Sequence, residues 1–315
     1  MEVERDQHKP PLSLQNNKIP SSQNFPVVDL SNTNGELVAR KVAKASEEWG
    51  IFQVVNHGIP TELIRRLHKV DTQFFELPES KKEAVAKPAN SKEIQGYEMD
   101  DVQGRRSHIF HNLYPSSSVN YAFWPKNPPE YREVTEEFAK HAKQLAEEIL
   151  GLLSEGLGLQ REMLKLAFGD DSAGYLMKIN YYRPCPEPDW VMGIKAHTDF
   201  NELTLLIPNE IFGLQVFKED RWLDVDYIYP AVIIIIGDQI MKMSNGRYNN
   251  VLHRTLMDKK KTRMSSVVHI KPPYDMVVKP FPELTSGDNP PKFEPLTYQD
   301  YIDIEVPKLS RLIKN

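Results

Sequence analysis

Lys195-Ala196-His197-Thr198-Asp199-Phe200 is the stretch on which the reading of this chain turns. In an extended strand residues i and i+2 point to the same side. His197 and Asp199 therefore face one way and Thr198 the other. Two polar side chains aimed together at a β-domain interior are costly unless they bind something. Outward from this pair, short β-like segments recur between Gly, Pro and Asn punctuation, at residues 175–182, 203–208, 214–217, 232–236 and 263–270. Strands this short, separated by turn residues, predict an all-β sandwich or barrel. The aliphatic run Ala231-Val232-Ile233-Ile234-Ile235-Ile236 reads as a strand buried on both faces. Asn245-Gly246 reads as a hairpin turn.

Before residue 174 the texture differs. Residues 1–24 are polar, with prolines and an Asn/Ser/Gln cluster, and are expected to form a disordered arm. Residues 25–30 read as a short strand, and 35–49 as a helix with Leu37, Val42 and Ala45 at helical spacing. A strand at 51–55 closes in the turn Asn56-His57-Gly58. The helix at 61–77 carries Leu63, Leu67, Val70 and Phe74 on one stripe. Residues 86–125 read as mixed, loop-rich and aromatic. Pro128-Pro129 then introduces a long helix lined by Phe138, Leu145, Ile149 and Leu152. The expected class is α+β, in five parts: the arm at 1–24, an N-terminal region at 25–130, the long helix and its connection at 131–173, the β domain at 174–273 and a C-terminal segment at 274–315.

The 315 residues can bury one large core. The net charge of -5 is spread without a basic stripe, which argues against a nucleic-acid partner. Cys185 is the only cysteine, so no intrachain disulfide can form, as suits a reducing cytosol or nucleus. The opening Met1-Glu2-Val3-Glu4-Arg5-Asp6 lacks the apolar region of a secretory signal. The aliphatic run from Ala231 is too short to span a bilayer. A cytoplasmic monomer with no membrane partner is expected.

His253, in Asn250-Val251-Leu252-His253-Arg254, supplies the third member of a candidate metal set. Two His nitrogens and one carboxylate fill one face of an octahedron and leave three positions open, the ligand set of non-haem iron(II) oxygenases. Arg263 follows ten residues later, with Ser265 two further on. A cationic fork beside a hydroxyl is what a co-substrate carboxylate needs. A His-x-Asp pair alone is usually an accident. The distant His and the Arg-x-Ser pair together tip the balance towards a 2-oxoglutarate-dependent oxygenase. The other candidates read as structural: His57 in a turn, His68 on a helix, Cys185 packed between two prolines. His141 and the Lys259-Lys260-Lys261 run read as solvated.

Nearly the whole chain, about 25 to 300, resembles the plant 2-oxoglutarate-dependent dioxygenases, and within them the flavonol synthases. The resemblance rests on Trp49-Gly50-Ile51-Phe52-Gln53-Val54-Val55-Asn56-His57-Gly58-Ile59-Pro60, on Phe74-Phe75-Glu76-Leu77-Pro78 and on Phe123-Trp124-Pro125-Lys126-Asn127-Pro128-Pro129. It rests equally on Lys178-Ile179-Asn180-Tyr181-Tyr182-Arg183-Pro184-Cys185-Pro186, His253-Arg254-Thr255 and Arg263-Met264-Ser265. It implies a double-stranded β-helix, or distorted jelly roll, with Fe(II) on His197, Asp199 and His253. It implies that Asn180, Tyr182, Arg263 and Ser265 hold 2-oxoglutarate, and that His108, Phe110 and Lys178 contact a flavonoid. The implied reaction desaturates a dihydroflavonol to a flavonol, converting 2-oxoglutarate and O₂ to succinate and CO₂, with ascorbate as reductant.

The chain departs from that pattern at the substrate wall. Ser266 and Val267 stand where Trp-Pro is usual, His269 where Phe is usual, and Lys271 where Glu is usual. The segment at 100–107 is short and lacks the Trp-Val-Asp that commonly precedes the pocket histidine. The departures imply weak desaturation. Other outcomes of the same resemblance are flavanone hydroxylation and an idle relative that binds a flavonoid or a protein.

Overall fold

The computed structural model describes residues 25–89, 94–99, 104–186 and 192–307. The expected arm at 1–24 and residues 100–103 of the short segment lie outside them. Asn34 starts helix α1 (Gly35–Glu48), its side chain accepting a hydrogen bond from Leu37 N at 3.0 Å. Helix α2 (Thr61–Phe75) follows Pro60 and turns Leu63, Ile64, Leu67, Val70, Phe74 and Phe75 inward. A short turn, α3 (Glu79–Lys82), precedes the long helix α4 (Tyr131–Gly156), against which α1, α2 and the short α5 (Met163–Ala167) pack.

Two β-sheets carry the rest. The larger runs in the order β1 (Val27–Asp29), β2 (Ile51–Val55), β10 (Val232–Ile236), β7 (Leu203–Pro208), β12 (Arg263–Lys271), β5 (Gly174–Tyr182), β4 (Arg106–Tyr114), β3 (Gly96–Met99). Only β1 beside β2 is parallel. The smaller sheet is β6 (Met192–His197), β11 (His253–Leu256), β8 (Leu214–Lys218), β9 (Arg221–Asp224).

Alternation along the strands builds two cores. Phe52, Val54, Ile234, Leu205, Val268, Met177 and Ile179 face the helices in the principal core. Ile51, Ile233, Ile235, Leu206 and Val267 face the small sheet, meeting Leu214, Val216 and Leu223. The architecture is a sandwich of two mostly antiparallel layers with helices over the outer face of the large one, a jelly roll with N-terminal helices. The aliphatic β10 is buried on both faces because it lies between these cores. Among the described residues no helix is long and apolar enough to cross a membrane.

Three local expectations change. Residues 86–125, read as loop-rich, contain the nine-residue strand β4. Its inward positions include Ser107 and His111 beside Ile109 and Leu113, so hydropathy alternation was masked by polar side chains. Strands β1 to β4 also join the large sheet, so the N-terminal region supplies part of the sandwich. Asn245-Gly246 does not make a hairpin. Both residues have positive φ, 52° and 76°, and they end helix α6 (Asp238–Met243), with Gly246 N donating to Met241 O at 2.9 Å.

Candidate active site

The pairing of β6 with β11 sets His197 directly across from His253. Asp199 lies two residues past His197, where β6 has already ended, so strand alternation alone does not orient it. The turn does. Asp238 N donates to Asp199 O at 2.8 Å, and Thr198 Oγ1 donates to Asp238 Oδ2 at 3.3 Å. One ligand atom from each of His197, Asp199 and His253 lies within 4.8 Å of the others. The two histidine Nε2 atoms are 3.5 and 3.7 Å from Asp199 Oδ1.

The protonation pattern suits a metal. His197 Nδ1 is 2.8 Å from Lys195 O, and His253 Nδ1 is 3.1 Å from Val251 O. A carbonyl oxygen can only accept, so each Nδ1 carries the proton and each Nε2 presents a lone pair beside Asp199. Burial pushes His253 down to about 4, which keeps its ring neutral. Burial alone would raise the Asp199 pKa, but His253 and His197 facing it hold it well below the usual carboxylate range. Two imidazoles that keep their protons on Nδ1 and a carboxylate, converging from one side, are the donor set that Fe(II) takes in such enzymes.

A further layer holds these groups. Thr204 Oγ1 donates to Asp199 Oδ2 at 2.6 Å. Tyr301 OH donates to Asp238 Oδ2 at 2.6 Å, and Asn250 Nδ2 donates to Asp238 Oδ1. Asp238 thus ties the Thr198 turn, the chain entering His253 and the C-terminal segment to one carboxyl. Sequence reading passed over Thr204 and Asp238. A lone hydroxyl in the otherwise aliphatic Leu203-Thr204-Leu205-Leu206-Ile207 was the available signal.

The co-substrate candidates occupy one face of neighbouring strands. Arg263 pairs with Tyr182 and Ser265 with Asn180 across β12 and β5. Asn180 Nδ2 is 3.4 Å from Ser265 Oγ, and both line the cavity that holds the triad. Arg263 stands two positions beyond Ser265, 1% exposed, its guanidinium 5.4 Å from the Tyr182 ring centre. It borders a second cleft, of about 320 Å³, rather than the triad cavity. Its Nε and Nη1 are buried with no hydrogen-bond partner. Buried donors of this kind are rare unless something binds them, and a dicarboxylate is the matching acceptor. Gly213 makes room: a Cβ there would sit 2.8 Å from Arg263 Cδ.

The triad cavity has a volume of about 860 Å³. Phe110, Lys178, His269 and Lys271 line it, with Leu176, Ile194, Phe200 and the C-terminal residues Tyr298, Gln299 and Ile302. Lys178 Nζ lies 5.1 Å above the Phe110 ring centre, and Lys271 Nζ is 3.3 Å from Tyr274 OH. His108 shares that sheet face, opposite Asn180 and edge-on to Phe110, but is not a wall residue. Val267 lines the cavity, whereas Ser266 points the other way and donates to Asp71 Oδ2 at 2.9 Å. Of the pair that replaces Trp-Pro, only Val267 therefore touches the cavity.

Comparison with known proteins agrees with this geometry. Residues 173–272 match the 2OG-Fe(II) oxygenase superfamily, and residues 25–146 match the non-haem dioxygenase in morphine synthesis N-terminal family. The chain is 93% identical over 282 residues to "Probable flavonol synthase 4" of Arabidopsis thaliana, spanning 90% of this chain and 95% of that protein. It is 60% identical over 283 residues to the Arabidopsis thaliana "Flavonol synthase/flavanone 3-hydroxylase", spanning 88% of this chain and 84% of that one. Among solved structures, JOX2 in complex with 2OG, Fe and JA superposes with a TM-score of 0.82 at 33% identity, covering 93% of this chain and 90% of that one. This chain belongs to the 2OG-Fe(II) oxygenase superfamily and is a dioxygenase that works with iron(II), 2-oxoglutarate and O₂.

Proposed function

We propose that this dioxygenase desaturates a dihydroflavonol to a flavonol. One observation carries the reading: a cavity of about 860 Å³ opens onto the His197-Asp199-His253 triad, and Phe110, Leu176, Phe200 and Ile302 wall it beside a few placed polar groups. Such a lining suits a flat polyphenol. The names of the relatives that are 93% and 60% identical support the same substrate class.

His197 Nε2, His253 Nε2 and an Asp199 oxygen hold the iron, and the backbone carbonyls of Lys195 and Val251 keep both rings in the tautomer required. Arg263 and Ser265 hold the far carboxylate of 2-oxoglutarate, with Tyr182 and Asn180 beside them. Iron(II) with 2-oxoglutarate and O₂ supplies the oxidant, so that a dihydroflavonol gives a flavonol, succinate, CO₂ and water. Phe110 and the apolar walls orient the rings and keep water out. Lys178 and Lys271 donate to substrate oxygens at the same wall, since an ammonium has no acceptor to offer.

The test is succinate release on addition of a dihydroflavonol to the Fe(II)-loaded protein. The reading expects substrate-stimulated succinate that is lost in Asp199→Ala, together with a product two hydrogens lighter than the substrate. Succinate release indifferent to every flavonoid offered would overturn the substrate assignment.

A further inference from the structure

His269 has a hydrogen-bonding role that can be worked out atom by atom. Thr204 Oγ1 has three polar neighbours within 3.1 Å, with Asn201 Oδ1 further off at 3.5 Å: Asp199 Oδ2 at 2.6 Å, Asn201 Nδ2 at 3.1 Å and His269 Nδ1 at 3.1 Å. A hydroxyl has one proton to give and two lone pairs to fill. The shortest of the three contacts runs from the Thr204 hydroxyl to the carboxylate oxygen Asp199 Oδ2, so the Thr204 proton goes there. Asn201 Nδ2 also donates to Leu203 O at 2.7 Å, which fixes the donor end of that amide towards Thr204. The third contact is therefore His269 Nδ1–H donating to Thr204. Burial brings His269 down to about 4, so the ring is neutral and has only that proton. Its Nε2 bears a bare lone pair. The ring lines the triad cavity, and no hydrogen bond from a described residue reaches Nε2.

We infer that His269 Nε2 is a specificity-determining acceptor for a phenol or alcohol O–H of the substrate. The inference deepens the flavonoid reading and rests on it for the molecule that carries the hydroxyl. Lys178 and Lys271 line the same cavity and can only donate, so Nε2 supplies the complementary function. A bound substrate hydroxyl is then joined to the metal-ligating carboxylate by a continuous chain: substrate O–H to Nε2, Nδ1–H to Thr204 Oγ1, Thr204 O–H to Asp199 Oδ2. No proton needs to move along it. Each bond polarises the next, and the direction of every donor follows from the Thr204 hydroxyl donating to Asp199 Oδ2 at its end. His269 is thus a positioning residue for Asp199 as well as a contact for the substrate.

The test compares a dihydroflavonol with its mono-O-methyl ethers, each masking one hydroxyl in turn. Binding is followed anaerobically by tryptophan fluorescence with Fe(II) and 2-oxoglutarate present. A neutral hydrogen bond of about 1–1.5 kcal/mol corresponds to roughly a tenfold change in affinity. One ether should therefore bind about tenfold more weakly than the free phenol. His269→Asn keeps a donor for Thr204 but has no acceptor at the Nε2 position. In that variant the discrimination should collapse to less than about twofold. A purely structural role would weaken all ligands alike and leave the ratio intact. Nitrogen-15 NMR of the wild-type histidines should show His269 protonated at Nδ1, and its Nε2 resonance should move with phenol and not with anisole. Discrimination that persists in His269→Asn, a proton found on Nε2, or equal responses to phenol and anisole would each overturn the inference. If phenol shifts Nε2 and no flavonoid binds, the acceptor stands and the flavonoid reading falls.

Discussion

Replacing Arg263 by Met should move two observables in opposite directions. The guanidinium is 1% exposed, and its Nε and Nη1 have no hydrogen-bond partner. Leaving two donors of a buried cation without acceptors costs on the order of a few kcal/mol, more than the Tyr182 ring beside it returns. Without 2-oxoglutarate, Arg263→Met should therefore be more stable than the wild type, by roughly 1–3 kcal/mol. With 2-oxoglutarate the variant loses most or all of that advantage. Two charge-assisted hydrogen bonds at about 1.5–3 kcal/mol each are lost, so affinity should fall by roughly a hundredfold or more. At a 2-oxoglutarate concentration about a hundredfold above the wild-type Kd, ligand binding stabilises the wild type by about 2.7 kcal/mol. At roughly 2 °C per kcal/mol this is a rise of about 5 °C in Tm. At the same concentration the variant would gain about 0.4 kcal/mol or less, under roughly 1 °C. Anaerobic differential scanning calorimetry of the Fe(II)-loaded proteins, with and without 2-oxoglutarate, reads both numbers. A variant that melts lower without ligand and still gains about 5 °C with it would show that Arg263 is a structural cation and not the co-substrate clamp.

Two further perturbations test the frame around the site. Burial raises Asp71 to about 8, against a partial offset from the Ser266 hydroxyl. Its folded pKa lies above the unfolded value, so its contribution is most favourable below about pH 4 and is lost as pH rises towards about 8. Asp71→Asn should flatten that slope and stabilise the protein at pH 7, by on the order of 4 kcal/mol at most, and urea unfolding at pH 5 and pH 8 would measure it. An unchanged slope would show that the carboxyl is solvated. Lys271→Glu restores an acceptor at the cavity wall next to Tyr274 and should raise the ratio of flavonol to succinate. If that ratio is already near one in the wild type, Lys271 does not limit coupling.

The metal set could be read from residue types and spacing because ligand chemistry allows few alternatives to His-x-Asp with a distant His. What holds it could not. Asp199 is oriented by a turn and by hydrogen bonds to Asp238 and Thr204, long-range contacts that leave no periodic trace. Strand β4 was hidden because Ser107 and His111 occupy inward positions where alternation would show an aliphatic residue. Asn245-Gly246 supplies left-handed backbone equally well to a hairpin or to a helix end, and only the neighbouring α6 decides between them. The C-terminal segment carried no motif, yet Tyr301 bonds Asp238 and Tyr298 lines the cavity. His269 looked like the loss of an aromatic wall. Its Nδ1 instead meets Thr204 Oγ1 at 3.1 Å, a partner from another strand that composition cannot reveal.

The most direct measurement of the account is a reaction under ¹⁸O₂ with Fe(II), 2-oxoglutarate and a dihydroflavonol, with both products analysed by mass spectrometry. Desaturation at the His197-Asp199-His253 site predicts one labelled oxygen in succinate and an unlabelled flavonol in matching amount. A labelled, hydroxylated flavonoid would contradict the proposed reaction, and labelled succinate with no flavonoid product would contradict the proposed substrate.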